Sequence, residues 1–174
     1  MNFNLTHFSN LTTMKTAQYF IEKLALQPHP EGGFYKETYR ANEEIENVNG
    51  NKRNLSTAIY FLLEKENKSH FHKIKSDELW FHHYGATLEI LYIKNNEIET
   101  ILLGNDIENG EVLQATIPAN TWFASRMKNY ENFGLVSCTV SPGFDFEDFE
   151  MAKKEELVTL YPELKALIEE MCLD

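Results

Sequence analysis

Ser69-His-Phe-His-Lys-Ile-Lys-Ser-Asp-Glu-Leu-Trp-Phe-His-His-Tyr-Gly85 holds four of the six histidines and two carboxylates in seventeen residues. Side chains on a strand alternate with period two, so His70 and His72 are expected on one face, where both imidazoles reach one metal ion or one substrate. A short polar turn then lets Glu78 return on the neighbouring strand. If Glu78 points inward, the same period brings Trp80, His82 and Tyr84 beside it, and turns Asp77, Leu79, Phe81 and His83 away.

Around this stretch the chain reads as β-rich. Strands are expected at Phe34–Arg40, Leu55–Leu63, Glu78–Tyr84, Leu88–Lys94, Glu97–Leu103, Glu111–Ile117 and Leu135–Ser141, with Asn49-Gly50, Asn95-Asn96 and Asn109-Gly110 as turns, because Asn and Gly tolerate positive φ. Helical periodicity is confined to the ends. Thr12 or Thr13 caps a helix running to Leu24 and expected to cover a barrel edge. Lys153–Leu160, and Pro162 onward to Met171, form the tail. Short turn-linked strands without alternating helices predict an all-β sandwich or barrel.

Four segments resemble a microbial cupin-like family: Pro28-His-Pro-Glu-Gly-Gly-Phe-Tyr-Lys-Glu-Thr-Tyr-Arg40, Ser56-Thr-Ala-Ile-Tyr-Phe-Leu-Leu63, Ser76-Asp-Glu-Leu-Trp80 and Val140-Ser-Pro-Gly-Phe-Asp-Phe-Glu-Asp-Phe149. The first histidine motif is similar to that of the cupin superfamily, His-x-His, Glu, six residues, Gly, with Glu78 and Gly85 in its last interval. The resemblance implies a cupin-type double-stranded β-helix, a jelly-roll barrel with short N- and C-terminal helices, a pocket inside and assembly as a homodimer. The turn between His72 and Glu78 is a residue or two longer than the family's, and Phe123 stands where the fourth metal ligand would be.

Three readings of the site stay open. His70, His72 and Glu78 make a three-ligand site for a divalent metal such as nickel, zinc, manganese or iron, with an open coordination position. Alternatively no metal is bound. His72 is then a base oriented by Asp77 or Glu78, with Tyr35, Tyr39, Tyr60 or Tyr84 returning the proton, as the similarity to cupin-fold deoxysugar 3,5-epimerases implies. His82 and Tyr39 join the catalytic candidates, and Trp80, Tyr35, Glu37, Arg40, Tyr84 and Phe123 the ligand-binding ones. In the third reading these side chains serve packing alone. The expected ligand is a small polar molecule, sugar-like or acidic, whether turned over or merely bound; Arg40 or Lys36 would neutralise an anionic group.

Composition narrows the remaining classes. A chain of 174 residues with 43% hydrophobic residues suits one domain, expected over 14–174 with a flexible arm at 1–13. A formal charge of −11 without a Lys/Arg cluster argues against a nucleic-acid partner. Two cysteines make no disulfide framework, no secretory signal is read at Met1–Met14, and no apolar run reaches membrane-spanning length, so a cytoplasmic setting is expected. Phosphate-binding Gly-rich loops, nucleophile elbows, Cys-x-x-Cys pairs and zinc-protease helices are absent.

Overall fold

A computed structural model describes residues 15–46 and 50–173. The expected arm, Thr12, Thr13 and Asn49 lie outside the described residues. In chain order the elements are α1 (Ala17–Leu24), β1 (Gln27–Pro28), β2 (Phe34–Arg40), β3 (Glu44–Glu46), β4 (Lys52–Asn54), β5 (Thr57–Glu64), β6 (Lys68–Ile74), β7 (Asp77–Gly85), β8 (Leu88–Lys94), β9 (Glu97–Leu103), β10 (Gln114–Ile117), β11 (Phe123–Met127), β12 (Phe133–Ser141), β13 (Phe149–Met151), α2 (Lys154–Leu160) and α3 (Lys165–Met171).

Two antiparallel sheets face each other, one ordered β1-β2-β5-β12-β7-β10 and the other β13-β6-β11-β8-β9. This is the expected jelly roll. Between the sheets lie Phe61, Leu63, Trp80, Leu88, Ile90, Leu103, Ile117, Phe123, Met127 and Val136, each at most 1% exposed. The turn after Ile74 carries the chain from one sheet to the other, so β6 and β7 are not hydrogen-bonded neighbours, as the sequence reading had them. They face each other across the interior instead.

The helices cover the outer faces. Thr16 Oγ1 accepts the Tyr19 N–H and starts α1, which packs Phe20, Ile21 and Leu24 on Leu62 and Leu135. It therefore covers a sheet face rather than the expected edge. In the other layer α2 and α3 bury Leu157, Ile168 and Met171 against Phe71, Leu91 and Ala124. Pro162 opens a single 3-10 turn ahead of α3.

Asn95 and Asn96 adopt φ of 53° and 66°, the left-handed pair that a tight β8–β9 hairpin needs. Asn109-Gly110 is not a hairpin turn. Ile107–Asn109 forms a 3-10 turn there, and the Glu111 carboxylate accepts the Asp106 N–H and the Thr87 hydroxyl, so β10 starts only at Gln114.

Candidate functional site

The cavity between the sheets, about 430 Å³, lies at the end of the sandwich where β2, β5, β6, β7 and β12 converge. Three departures from strict strand alternation decide what faces it. In β2 the register skips Thr38, so Tyr35, Glu37 and Arg40 pair opposite Phe61, Ile59 and Thr57 and line the cavity. Tyr39 falls opposite Ala58, points outward and is 55% exposed. In β7 the register skips His83, leaving Glu78, Trp80 and His82 inward but turning Tyr84 out onto Phe20 and Phe133 under α1. In β6 three residues from Ser69 to His72 span two of β11, so His72 faces inward while His70 leaves that face. Bulges of this kind re-aim side chains beside sites, and a period-two reading fails at each one.

At the cavity's inner end Glu31, which the sequence reading passed over, meets His72. Glu31 Oε2 lies 3.1 Å from His72 Nε2, and Glu31 Oε1 accepts the Ser69 hydroxyl at 2.8 Å. His72 Nδ1 is 2.7 Å from the His70 carbonyl, to which it donates, so Nε2 of the neutral ring is an acceptor. Burial pushes the Glu31 carboxyl up and lowers His72 to about 4. One proton therefore bridges the pair and rests on Glu31, as a carboxylic acid donating to an imidazole.

His29, also missed, lines the same end. Its Nδ1 accepts the Glu31 backbone N–H at 3.3 Å, and burial lowers its pKa, which keeps the ring neutral. The signal for both residues was Gly32-Gly33. At φ of 110° and 72° these glycines bend the β1–β2 connection inward, and a Cβ on Gly32 would lie 2.0 Å from the Lys68 carbonyl oxygen.

Glu78 faces this group from β7. It is 7% exposed, and burial raises its carboxyl to about 8. The Trp80 indole and Cys138 thiol lie near enough to offset part of that rise, yet the buried Trp80 Nε1 has no hydrogen-bond partner among the described residues. Two protonated carboxyls and two neutral imidazoles thus occupy one end of the cavity, so proton donors and acceptors stand side by side.

The predicted metal ligands do not converge. His70 Nδ1 donates to the Glu31 carbonyl at 2.7 Å, and its ring borders an outer groove with Gly32, Lys68 and Glu170. Among the described residues no group of three His, Cys, Asp or Glu side chains is arranged to hold a metal ion. His72 Nε2 is taken by Glu31, and Phe123, fully buried, packs its ring 4.1 Å from that of His72 instead of lining the cavity. His82, half-buried and opposite Val136, is not among the cavity's lining residues, and its Nε2 has no hydrogen-bond partner among the described residues.

The mouth carries charge that is already spent. Arg40 Nε and Nη2 bind both Glu37 oxygens at 3.0 and 2.7 Å, while Nη1 reaches Asn54 Oδ1 and the Phe144 carbonyl. Lys36 pairs opposite Tyr60 and borders the same mouth. One wall is aromatic, formed by Phe144, Phe146 and Phe149. It is fixed from behind by the buried Asp148, whose carboxylate takes Arg53 Nε at 2.6 Å and Nη2 at 3.1 Å, with Lys75 at 3.0 Å. Arg53 beside Asp148 holds that carboxyl below its ordinary range.

Comparison with known proteins places this architecture. The Leishmania major "hypothetical protein" is 38% identical, superimposes with a TM-score of 0.87, and is covered over 100% of its length by 92% of this chain. Protein SO0799 from Shewanella oneidensis is 40% identical with a TM-score of 0.85, over 92% of this chain and 99% of that one. The "uncharacterized protein YML079W" of Saccharomyces cerevisiae is 34% identical over 165 residues, 87% of this chain and 79% of the yeast protein. The family model "Cupin superfamily (DUF985)" matches residues 18–152, which contain both sheets and every residue of the cavity's acid–imidazole group; the chain belongs to that family.

Proposed function

We propose that the chain binds a small hydroxylated carbonyl compound between its sheets and moves a proton on it, as an isomerase or epimerase does, without needing a metal. The observation that carries this is the Glu31–His72 pair, a carboxyl and an imidazole 3.1 Å apart that hold one proton between them at the base of a cavity. A couple whose members are driven toward each other in proton affinity gives and takes a proton with little driving force either way. His72 is the base that completes the pair. Glu31 stores the proton, Glu78 binds the ligand's polar groups, and Tyr35, alone among the four tyrosines first considered, lines the cavity as a hydroxyl donor. A homodimer in the cytoplasm is part of the proposal, consistent with two free, buried cysteines. No helix among the described residues is long and apolar enough to cross a membrane.

The test is deuterium incorporation. The purified protein is incubated in D2O with a panel of ketoses, aldoses and cyclic hydroxyketones, and exchange at carbon α to the carbonyl is followed by NMR. Wild type is expected to exchange a subset of the panel, Glu31→Gln and His72→Asn to lose on the order of 10²–10⁴ of that rate. Wild-type binding without exchange would instead make this a non-catalytic binding protein. Activity that vanishes with chelator and returns with nickel, zinc, manganese or iron would overturn the metal-free reading.

A further inference from the structure

The cavity contains two buried carboxyls, and among the described residues no Lys or Arg forms an ion pair with either. Glu31 is 6% and Glu78 7% exposed. The guanidinium of Arg40 is bound to Glu37 at the mouth, and Lys36 of β2, opposite Tyr60, borders the cavity only at that mouth end beside Glu37 and Arg40. The imidazoles of His29 and His72 are both kept neutral by burial. Glu31 has Ser69 and His72 as partners, whereas the groups nearest the Glu78 carboxyl are the Trp80 indole and the Cys138 thiol, both uncharged.

The surroundings of Glu78 are aromatic, and the rings enclose space rather than fill it. Trp80 and Phe61 stand at 77° with centroids 5.6 Å apart, Phe61 and His29 at 88° and 6.0 Å, and His29 and Tyr35 at 89° and 4.5 Å. Successive right angles turn a chain of rings into walls. The π-face of an aromatic ring is negative, so such walls around a carboxyl favour an ammonium group. A neutral sugar would meet stacking surfaces equally well, but it would leave the carboxyl without a counter-charge.

We propose that the ligand of this cavity carries a protonated amine, seated against Glu78 inside the walls made by Trp80, Phe61, His29 and Tyr35. This rests on the reading of the cavity as a small-molecule site and narrows its ligand to amino-substituted polar compounds, such as amino sugars or cyclic amines. The binding step is balanced by one proton: R–NH3⁺ enters, Glu78 passes from carboxylic acid to carboxylate, and its proton leaves to solvent. Glu31 keeps its own proton with His72, so the acid–base couple and the anchor are separate groups. The formal charge of −11 draws cations toward the protein from a distance.

The groups facing Glu78 support that assignment of the released proton. From β12 comes Cys138, whose thiol burial pushes well above its ordinary value and which stays protonated. The β1–β2 connection presents Glu31 and His29, and β6 presents His72. At the mouth stand Glu37, closed on Arg40, and Asp145. Glu78, raised to about 8, is the carboxyl that holds a proton at neutrality yet gives it up readily to a cation.

Isothermal titration calorimetry tests this with matched probes, cyclohexylamine against cyclohexanol and glucosamine against glucose. Titrations run at pH 6.5 and pH 9 in two buffers of different ionisation enthalpy, which counts protons released. Expected are tighter binding of each amine, by about tenfold or more, with close to one proton released at pH 6.5 and far fewer at pH 9. Glu78→Gln should abolish the amine preference and the proton release at pH 6.5. Equal or weaker binding of the amines, binding of neither member, or no proton release overturns the amine anchor. Should Glu78→Gln fail to fold, the proton count on the unaltered protein decides alone. Deuterium exchange on neutral ketoses with no amine preference would sink the anchor and spare the Glu31–His72 chemistry; an amine preference in a protein that never exchanges deuterium would do the reverse.

Discussion

Glu78 holds a proton in the folded protein that the unfolded chain releases, because its folded value of about 8 lies above an ordinary carboxylate's. Stability from this group is full below the unfolded value and falls as pH rises toward 8. His72 acts in the opposite sense: its folded value of about 4 lies below the unfolded 6.5, so its contribution is lost as pH drops beneath 6.5. Above 6.5 the carboxyl dominates. Urea unfolding at pH 6.5 and pH 8 should show a loss of about 2 kcal/mol that Glu78→Gln abolishes; an unchanged slope in the variant would assign the loss elsewhere. Gly85 offers a second check. At φ of 93°, with a Cβ 2.2 Å from the Phe133 carbonyl oxygen, Gly85→Ala should destabilise by roughly 2 kcal/mol or more, measured the same way. The motif spacing that picked out Glu78 and Gly85 was therefore reading real geometry. Glu31 and His29 escaped it because they sit on an irregular connection, where no period applies and only the Gly-Gly pair marks the bend.

Strands and turns were more legible than the faces they present. Phe34–Arg40, Leu88–Lys94 and Glu97–Leu103 have the expected bounds, since alternation and turn residues are local properties. Facing is not local. One inserted residue at Thr38, His83 or between Ser69 and His72 inverts everything beyond it, which is why Arg40 entered the site while Tyr39, Tyr84 and His70 left it. The β8–β9 turn is a place where local chemistry suffices. Asn96→Val should cost about 1–2 kcal/mol through the left-handed conformation at φ 66°, and Asn96→Gly should be neutral or stabilising, as thermal melts would register.

At the scale of the molecule, the sandwich leaves β10 as an outer strand, paired on β7 alone, while the end of outer strand β9 is bridged by Val112, whose N–H donates to the Leu102 carbonyl. Exposed Val112 and Leu113 lie next to β10 at 40% and 49%. Open strand edges with apolar neighbours are ordinarily covered, so light scattering is expected to give twice the chain mass of 20.3 kDa; a monomer mass would remove the dimer. The crossing from β6 to β7 reaches further. Because His72 belongs to one sheet and Glu78 to the other, whatever occupies the cavity is a rivet driven through both layers. The two sheets cannot separate without expelling it. Binding is thereby written into the melting temperature: a compound at a hundred times its Kd adds about 2.7 kcal/mol, roughly 5–10 °C for a chain of this length. A metabolite library can therefore be searched by heat alone, and the molecules that delay unfolding are those that span the seam.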